Sequence, residues 1–317
     1  MVSILFLIAG FAALIYGANF LVDSASALAK KFSIPNIVIG LTIVAFGTSA
    51  PELVVNIFAA LSKNSDITLG NITGSNIFNI LGILGISAMI YPLSVKSNTT
   101  WLEIPLCFLS AIILLVMANN VFISRAGVSV IDRIDGIILL MFFVIFLVYN
   151  IQMTKTGDFS EDIIVKNYSV QKSVIFLIFG LGLLLIGGKV IVTSAVKLAT
   201  LIGISERIIA LTIVSIGTSL PELATSAVAA KKRNVDIAIG NIVGSNIFNA
   251  FFILGISAVI SPVYPLKWSN LDMLVNVFSS ILLFIFIFTG KGRRLDRREG
   301  AILSIFYMIY IAALIII

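Results

Sequence analysis

Histidine is missing from the 317 residues, and cysteine occurs once, at Cys107. A disulfide framework and a Cys/His metal centre are therefore excluded. So is histidine acid–base chemistry, and no HExxH or aspartyl dyad replaces it, so no enzyme is expected. Charge is also scarce. Asp, Glu, Lys and Arg make up 11% of the chain, where a soluble domain carries about 25%. What fills the space is apolar: 59% hydrophobic residues and a mean hydropathy of +1.14. That composition describes an all-α integral membrane protein with little chain left for soluble domains. The net charge of +6 fits basic residues gathered in cytoplasmic loops and needs no nucleic-acid partner. The first apolar run lacks a basic leader and a small-residue cleavage site, so it is expected to stay as a helix.

A span needs about 20 apolar residues. Ten are expected, at 2–26, 36–61, 67–91, 101–119, 128–150, 172–201, 206–230, 236–261, 270–289 and 299–317. The longest polar segment separates the first five from the last five. This gives a repeat at 1–153, a linker at 154–171 and a second repeat at 172–317. A shift of 170 residues aligns Ser3 with Ser173 and Pro92 with Pro262 without a gap. Between Ile39 and Pro92, 33 of 54 positions are identical to their partners. Identical polar residues at identical spacing mark a true internal repeat.

Five spans per half is an odd number, so the halves must be inverted. Inverted repeats favour a secondary transporter with its site near the bilayer midplane. About fourteen basic residues, among them Lys30, Lys96, Lys166, Lys232 and Arg293, fall on one side. Six, among them Lys63, Arg133 and Arg207, fall on the other. The richer side is expected in the cytoplasm with the linker, and both termini outside. Lys189, within the sixth span, is expected to snorkel to the nearer interface.

Two carboxylates stand inside these spans: Glu52 in AFGTSAPELV and Glu222 in SIGTSLPELA. A charge at a helix centre costs about 2.5–3.5 kcal/mol on insertion scales, so each needs a compensating role. Pro51 and Pro221 precede them. Proline removes a ladder donor and clashes with the carbonyl four residues back, here Gly47 or Gly217. Both helices should break there and free carbonyls around Ala45 to Thr48 and Ser215 to Thr218. The next span supplies amides and hydroxyls. Asn71, Ser75 and Asn79 share one helix face at i, i+4 and i+8, as do Asn241, Ser245 and Asn249. An all-oxygen site with two negative charges suits hard cations such as Ca²⁺, which takes about 6–8 oxygens, or Na⁺. No cofactor is expected; the ions are cargo. The partners are those ions and the lipid bilayer, and a monomer suffices.

The paired motifs GTSAPE with GNITGSNIFN, and GTSLPE with GNIVGSNIFN, lie within 40–85 and 210–255. Through them the chain resembles the cation/Ca²⁺ antiporter superfamily, specifically the prokaryotic Na⁺/Ca²⁺ exchangers. The resemblance implies ten helices, with the first and sixth spans moving against an eight-helix core. It implies that Ca²⁺ is held by Glu52, Glu222 and the carbonyls of Thr48 and Thr218. Sodium sites would add Ser49, Ser75, Ser219, Ser245 and the carbonyls of Ala45 and Ser215. Some relatives, including the potassium-dependent branch, carry aspartate at the positions of Asn79 or Asn249. The proton-coupled branch carries a glutamate where Thr73, Gly74, Val243 and Gly244 lie. Sodium/calcium antiport is therefore expected, with K⁺-dependent or H⁺/Ca²⁺ exchange, and more remotely a cation channel, as alternatives.

Overall fold

The computed structural model describes residues 2–120, 128–156, 165–201, 215–265, 269–289 and 292–316. Helices α1 (Val2–Lys31), α2 (Asn36–Thr48), α3 (Ala50–Leu61), α4 (Ser65–Ile90), α5 (Thr99–Ala118) and α6 (Arg133–Thr156) form the first half. Helices α7 (Val170–Leu201), α8 (Ser215–Thr218), α9 (Leu220–Lys231), α10 (Val235–Ile260), α11 (Ser269–Thr289) and α12 (Arg297–Ile316) form the second. Seven of the described helices are long and apolar enough to cross a bilayer, or eight if α2 and α3 count as one bent span. The described helices end within about six residues of the expected spans. However, α9 and α12 are not among these seven or eight, so the count of ten remains an expectation. The start of the seventh expected span, 206–214, lies outside the described residues, as do residues 157–164 of the linker. The first helix runs on past residue 26 to Lys31, where Lys30 and Lys31 face the negative end of the helix dipole.

Apolar side chains point outward where a soluble protein would carry charge. Ile175, Ile178, Phe179 and Ile186 on α7 are all more than half exposed, a surface suited to lipid. The interior belongs to α4 and α10, whose central windows are 83% buried against 22–39% for the other long spans. Each starts in the same way. Asn64 accepts from the Ile67 amide and Asn234 from the Ile237 amide, and Asp66 and Asp236 sit in the positive first turn. The loops before them turn through Lys63 and Arg233, both with positive φ.

The halves interlock. α2 packs on α10, while α8 and α9 pack on α4. α1 and α7 lie along each other through small residues. A Cβ on Gly10 would meet Ile191 and the Gly187 carbonyl, and one on Gly17 would meet the Gly180 carbonyl. Contacts that climb one helix as they descend the other mean that α1 and α7 are antiparallel. These glycines are also repeat partners, since Gly10 corresponds to Gly180 and Gly17 to Gly187. Short backbone links follow the same exchange. Leu93–Ser94 (β1) pairs antiparallel with Arg294–Leu295 (β2), and Ile131 pairs with Val263, the repeat partner of Leu93.

Candidate functional site

The first half bends by 50° between α2 and α3. The hinge is Ser49, whose φ of −81° and ψ of 9° depart from the helix. Ser219 repeats it between α8 and α9 with φ −91° and ψ 10°. Proline follows within two residues at each hinge, where its missing amide costs nothing at a helix start. Glu52 and Glu222 thus enter the first turn of a new helix, at its positive end.

The freed carbonyls are a partial correction. Ala45 O, expected to be released, accepts the Ser49 amide at 3.0 Å and the Thr48 hydroxyl at 3.3 Å. A short α-helical turn survives up to Thr48, so the proline effect is confined to the hinge. On the other side the Ser219 amide bonds Ile216 O at 3.1 Å, which leaves Ser215 O outside that contact. The Ser215 side chain lies outside the described residues.

Both carboxylates are buried, with 1% exposure each. Each is held by the serine hinge of the opposite half. Ser49 Oγ donates to Glu222 Oε1 at 2.8 Å. Ser219 Oγ donates to Glu52 Oε1 at 2.9 Å, and lies 3.1 Å from Ser75 Oγ, itself 3.3 Å from Glu52 Oε1. The second oxygens, Glu52 Oε2 and Glu222 Oε2, are buried without a protein partner, and so is Ser245 Oγ. The described ion pairs are Lys96–Asp236, Lys166–Asp23, Lys232–Asp23 and Arg294–Asp296. None involves either glutamate.

The threonine hydroxyls lie beside the carboxylates of the opposite half, Thr48 against Glu222 and Thr218 against Glu52, and each also reaches an asparagine. Thr48 Oγ1 donates to Asn241 Oδ1 at 3.0 Å, and Thr218 Oγ1 reaches Asn71 Oδ1 at 3.5 Å. The resemblance assigns the threonine carbonyls, not these hydroxyls, to the ion. Asn241 Nδ2 in turn bonds Ser226 Oγ at 2.9 Å. Asn79 and Asn249 are fully buried, and their Oδ1 atoms have no protein partner.

Two features escaped the sequence. Asn79 and Asn249 lie in π-helical stretches, Phe78–Leu84 and Phe248–Ile253. The widened turn displaces them from the simple i, i+4, i+8 line; such turns concentrate at functional sites. Asn76 and Asn246 were also missed, although both stand in the repeated GSNIFN. They bond across the halves to Asn249 and Asn79. Lys189 is exposed and lines a cavity of about 460 Å³ with Pro51, Thr218 and Pro221, open on the outer surface beside the hinges.

Among the described residues no three His, Cys, Asp or Glu side chains gather. Binding power must come from two carboxylates and neutral oxygens, a set that suits a hard cation. Fold and site together define a multi-pass helical membrane protein built around a buried, two-carboxylate oxygen centre. Comparison with known proteins narrows the class. The family model described as "Sodium/calcium exchanger protein" matches residues 2–152 and 172–316. The chain is 36% identical over 320 residues to the putative antiporter CaxA of Alkalimonas amylolytica, with 98% of each covered. It is 32% identical to the sodium/calcium exchanger MaX1 of Methanosarcina acetivorans over 347 residues, covering 99% of this chain and 98% of that one. The solved sodium-calcium exchanger NCX_Mj, soaked with Na⁺ and Sr²⁺, superposes with a TM-score of 0.83 at 33% identity over 98% of both chains. The chain therefore belongs to the sodium/calcium exchanger protein family.

Proposed function

We propose that this chain is a secondary antiporter that exchanges Na⁺ for Ca²⁺ by alternating access. The observation that carries the reading is the reciprocal pair Ser49–Glu222 and Ser219–Glu52. Each half clamps one oxygen of the other half's carboxylate and leaves the second oxygen bare. Two buried carboxylates without a basic partner are strongly unfavourable as charged groups unless a cation joins them or protons neutralise them. One Ca²⁺ balances both charges. Na⁺ must occupy the same carboxylates to do so, hence the ions compete. The family's name and the printed functions of the relatives matched along their whole length, MaX1 and NCX_Mj, favour sodium as the counter-ion; the sodium/potassium/calcium exchangers match 51% of this chain or less.

In this reading Ca²⁺ is held by Glu52, Glu222 and the carbonyls of Thr48 and Thr218. Ser49, Ser75, Ser219 and Ser245, the carbonyls of Ala45 and Ser215, and the Asn79 and Asn249 amides complete the sodium sites. The working unit is ten spans in two inverted repeats, 1–153 and 172–317, joined by a cytoplasmic linker at 154–171, with both termini outside. The antiparallel contact of α1 with α7 supports the inversion. An empty site would carry two unpaired carboxylates through a dry barrier, which forbids switching without cargo and couples the two ions.

Glu52→Gln and Glu222→Gln should each abolish Ca²⁺ uptake by proteoliposomes while the purified protein keeps its melting temperature. Near wild-type uptake by either variant contradicts the site.

A further inference from the structure

Four buried asparagines form a hydrogen-bonded chain across the two halves, Asn79–Asn246–Asn76–Asn249, and its orientation follows from the backbone. Asn246 Nδ2 donates to the Asn76 carbonyl at 3.2 Å, and Asn76 Nδ2 donates to the Asn246 carbonyl at 3.4 Å. A backbone carbonyl only accepts, so the side-chain atom facing it must be the amide nitrogen. That places the Oδ1 atom of each asparagine on its other edge. There Asn246 Oδ1 accepts from Asn79 Nδ2 at 2.9 Å, and Asn76 Oδ1 accepts from Asn249 Nδ2 at 3.0 Å. A carboxamide has only two edges. With the nitrogens of Asn79 and Asn249 engaged, their oxygens are the atoms left over, and both are buried without a protein partner. All four residues are at most 1% exposed.

We propose that Asn76 and Asn246 are positioning residues that hold the amides of Asn249 and Asn79 with oxygen toward the transported cation. This rests on the site proposed above. A freely flipping amide would present an NH₂ group, which repels a cation, for part of the time. Asn246 removes that state for Asn79, and Asn76 removes it for Asn249. The hydrogen-bonded chain crosses between the halves, so each half orients the ligand of the other, as the serine hinges do for the carboxylates.

Two double-mutant cycles test the assignment, read by isothermal titration of Ca²⁺ into the purified full chain, with melting temperature measured alongside. Asn246→Ala should weaken Ca²⁺ binding by about tenfold or more, the scale for losing a group that orients a metal ligand. In an Asn79→Ala background the same change should cost less than about twofold, because its effect runs through Asn79. Asn76→Ala should behave in the same way with Asn249→Ala. Wild-type affinity in Asn246→Ala and Asn76→Ala, or losses that multiply in the doubles, overturns the positioning role. So does failure of both variants to fold while Asn79→Ala and Asn249→Ala fold, since that marks a structural pair. If Asn79→Ala and Asn249→Ala themselves bind Ca²⁺ like wild type, the amides are not ligands and the site reading fails at that point instead.

Discussion

Asn249 donates through Nδ2 to Asn76 Oδ1 at 3.0 Å. A carboxyl group of nearly the same shape can repeat that bond only while it holds a proton. Asn249→Asp should therefore support Ca²⁺ uptake near neutral pH within a range from about pH 6 to about pH 9, where a buried carboxyl can keep its proton. It should lose uptake as the proton leaves, because the donor disappears and a third negative charge joins Glu52 and Glu222. Radiolabelled uptake by wild type and variant, side by side across that range, checks this; superimposable profiles contradict it. At this scale much of the site was legible in the sequence. Glu52, Ser49, Ser75 and Asn79 announced themselves by recurring 170 residues later among apolar neighbours. Asn76 and Asn246 recur equally well, but their role depends on which edge of an amide faces a backbone carbonyl in the opposite half, and one strand of sequence does not contain that information.

At the scale of elements, the hydrophobic runs located the long helices, because burial and lipid contact both demand apolar residues over a span's length. The proline argument located the hinge but not its extent. Ser49 alone leaves the helix, and the Ala45 carbonyl stays bonded. The π-helical stretches at Phe78–Leu84 and Phe248–Ile253 were not legible, since one extra residue in a turn leaves the apolar pattern almost unchanged. The α1–α7 contact offers a direct test of packing. A Cβ at Gly180 would stand 2.8 Å from the Gly17 carbonyl and 2.9 Å from the Leu21 amide, so the backbones must part. Gly180→Ala should lower stability by about 1–3 kcal/mol, as overpacking does, seen as a lower melting temperature. Gly182→Ala, two residues along the same helix and facing open space, should be neutral or stabilising, since alanine is the better helix former by about 1 kcal/mol. Equal effects from the two changes would refute the close crossing.

For the whole molecule, the sequence carried the repeat, from which the inversion is an expectation that the antiparallel α1–α7 contact supports. It could not show how the halves interlock, with the broken helices of each packed on the central helix of the other. That exchange is what brings Ser49 to Glu222 and Ser219 to Glu52. In the proposed reading it also makes a single ion centre, rather than one per repeat. Movement of α1 and α7 against the remaining helices would then expose one shared centre to each side in turn.

The central claim is that Na⁺ and Ca²⁺ take turns at that shared centre. The most direct test is radiolabelled Ca²⁺ uptake by proteoliposomes containing the purified chain, with the internal solution as the only variable. Vesicles loaded with Na⁺ and diluted into sodium-free buffer should accumulate Ca²⁺. Vesicles loaded with K⁺ or choline at the same pH should not, and an imposed pH gradient should not replace Na⁺. Ca²⁺ entry that is equal with and without internal Na⁺ would contradict exchange and indicate a channel or a different counter-ion.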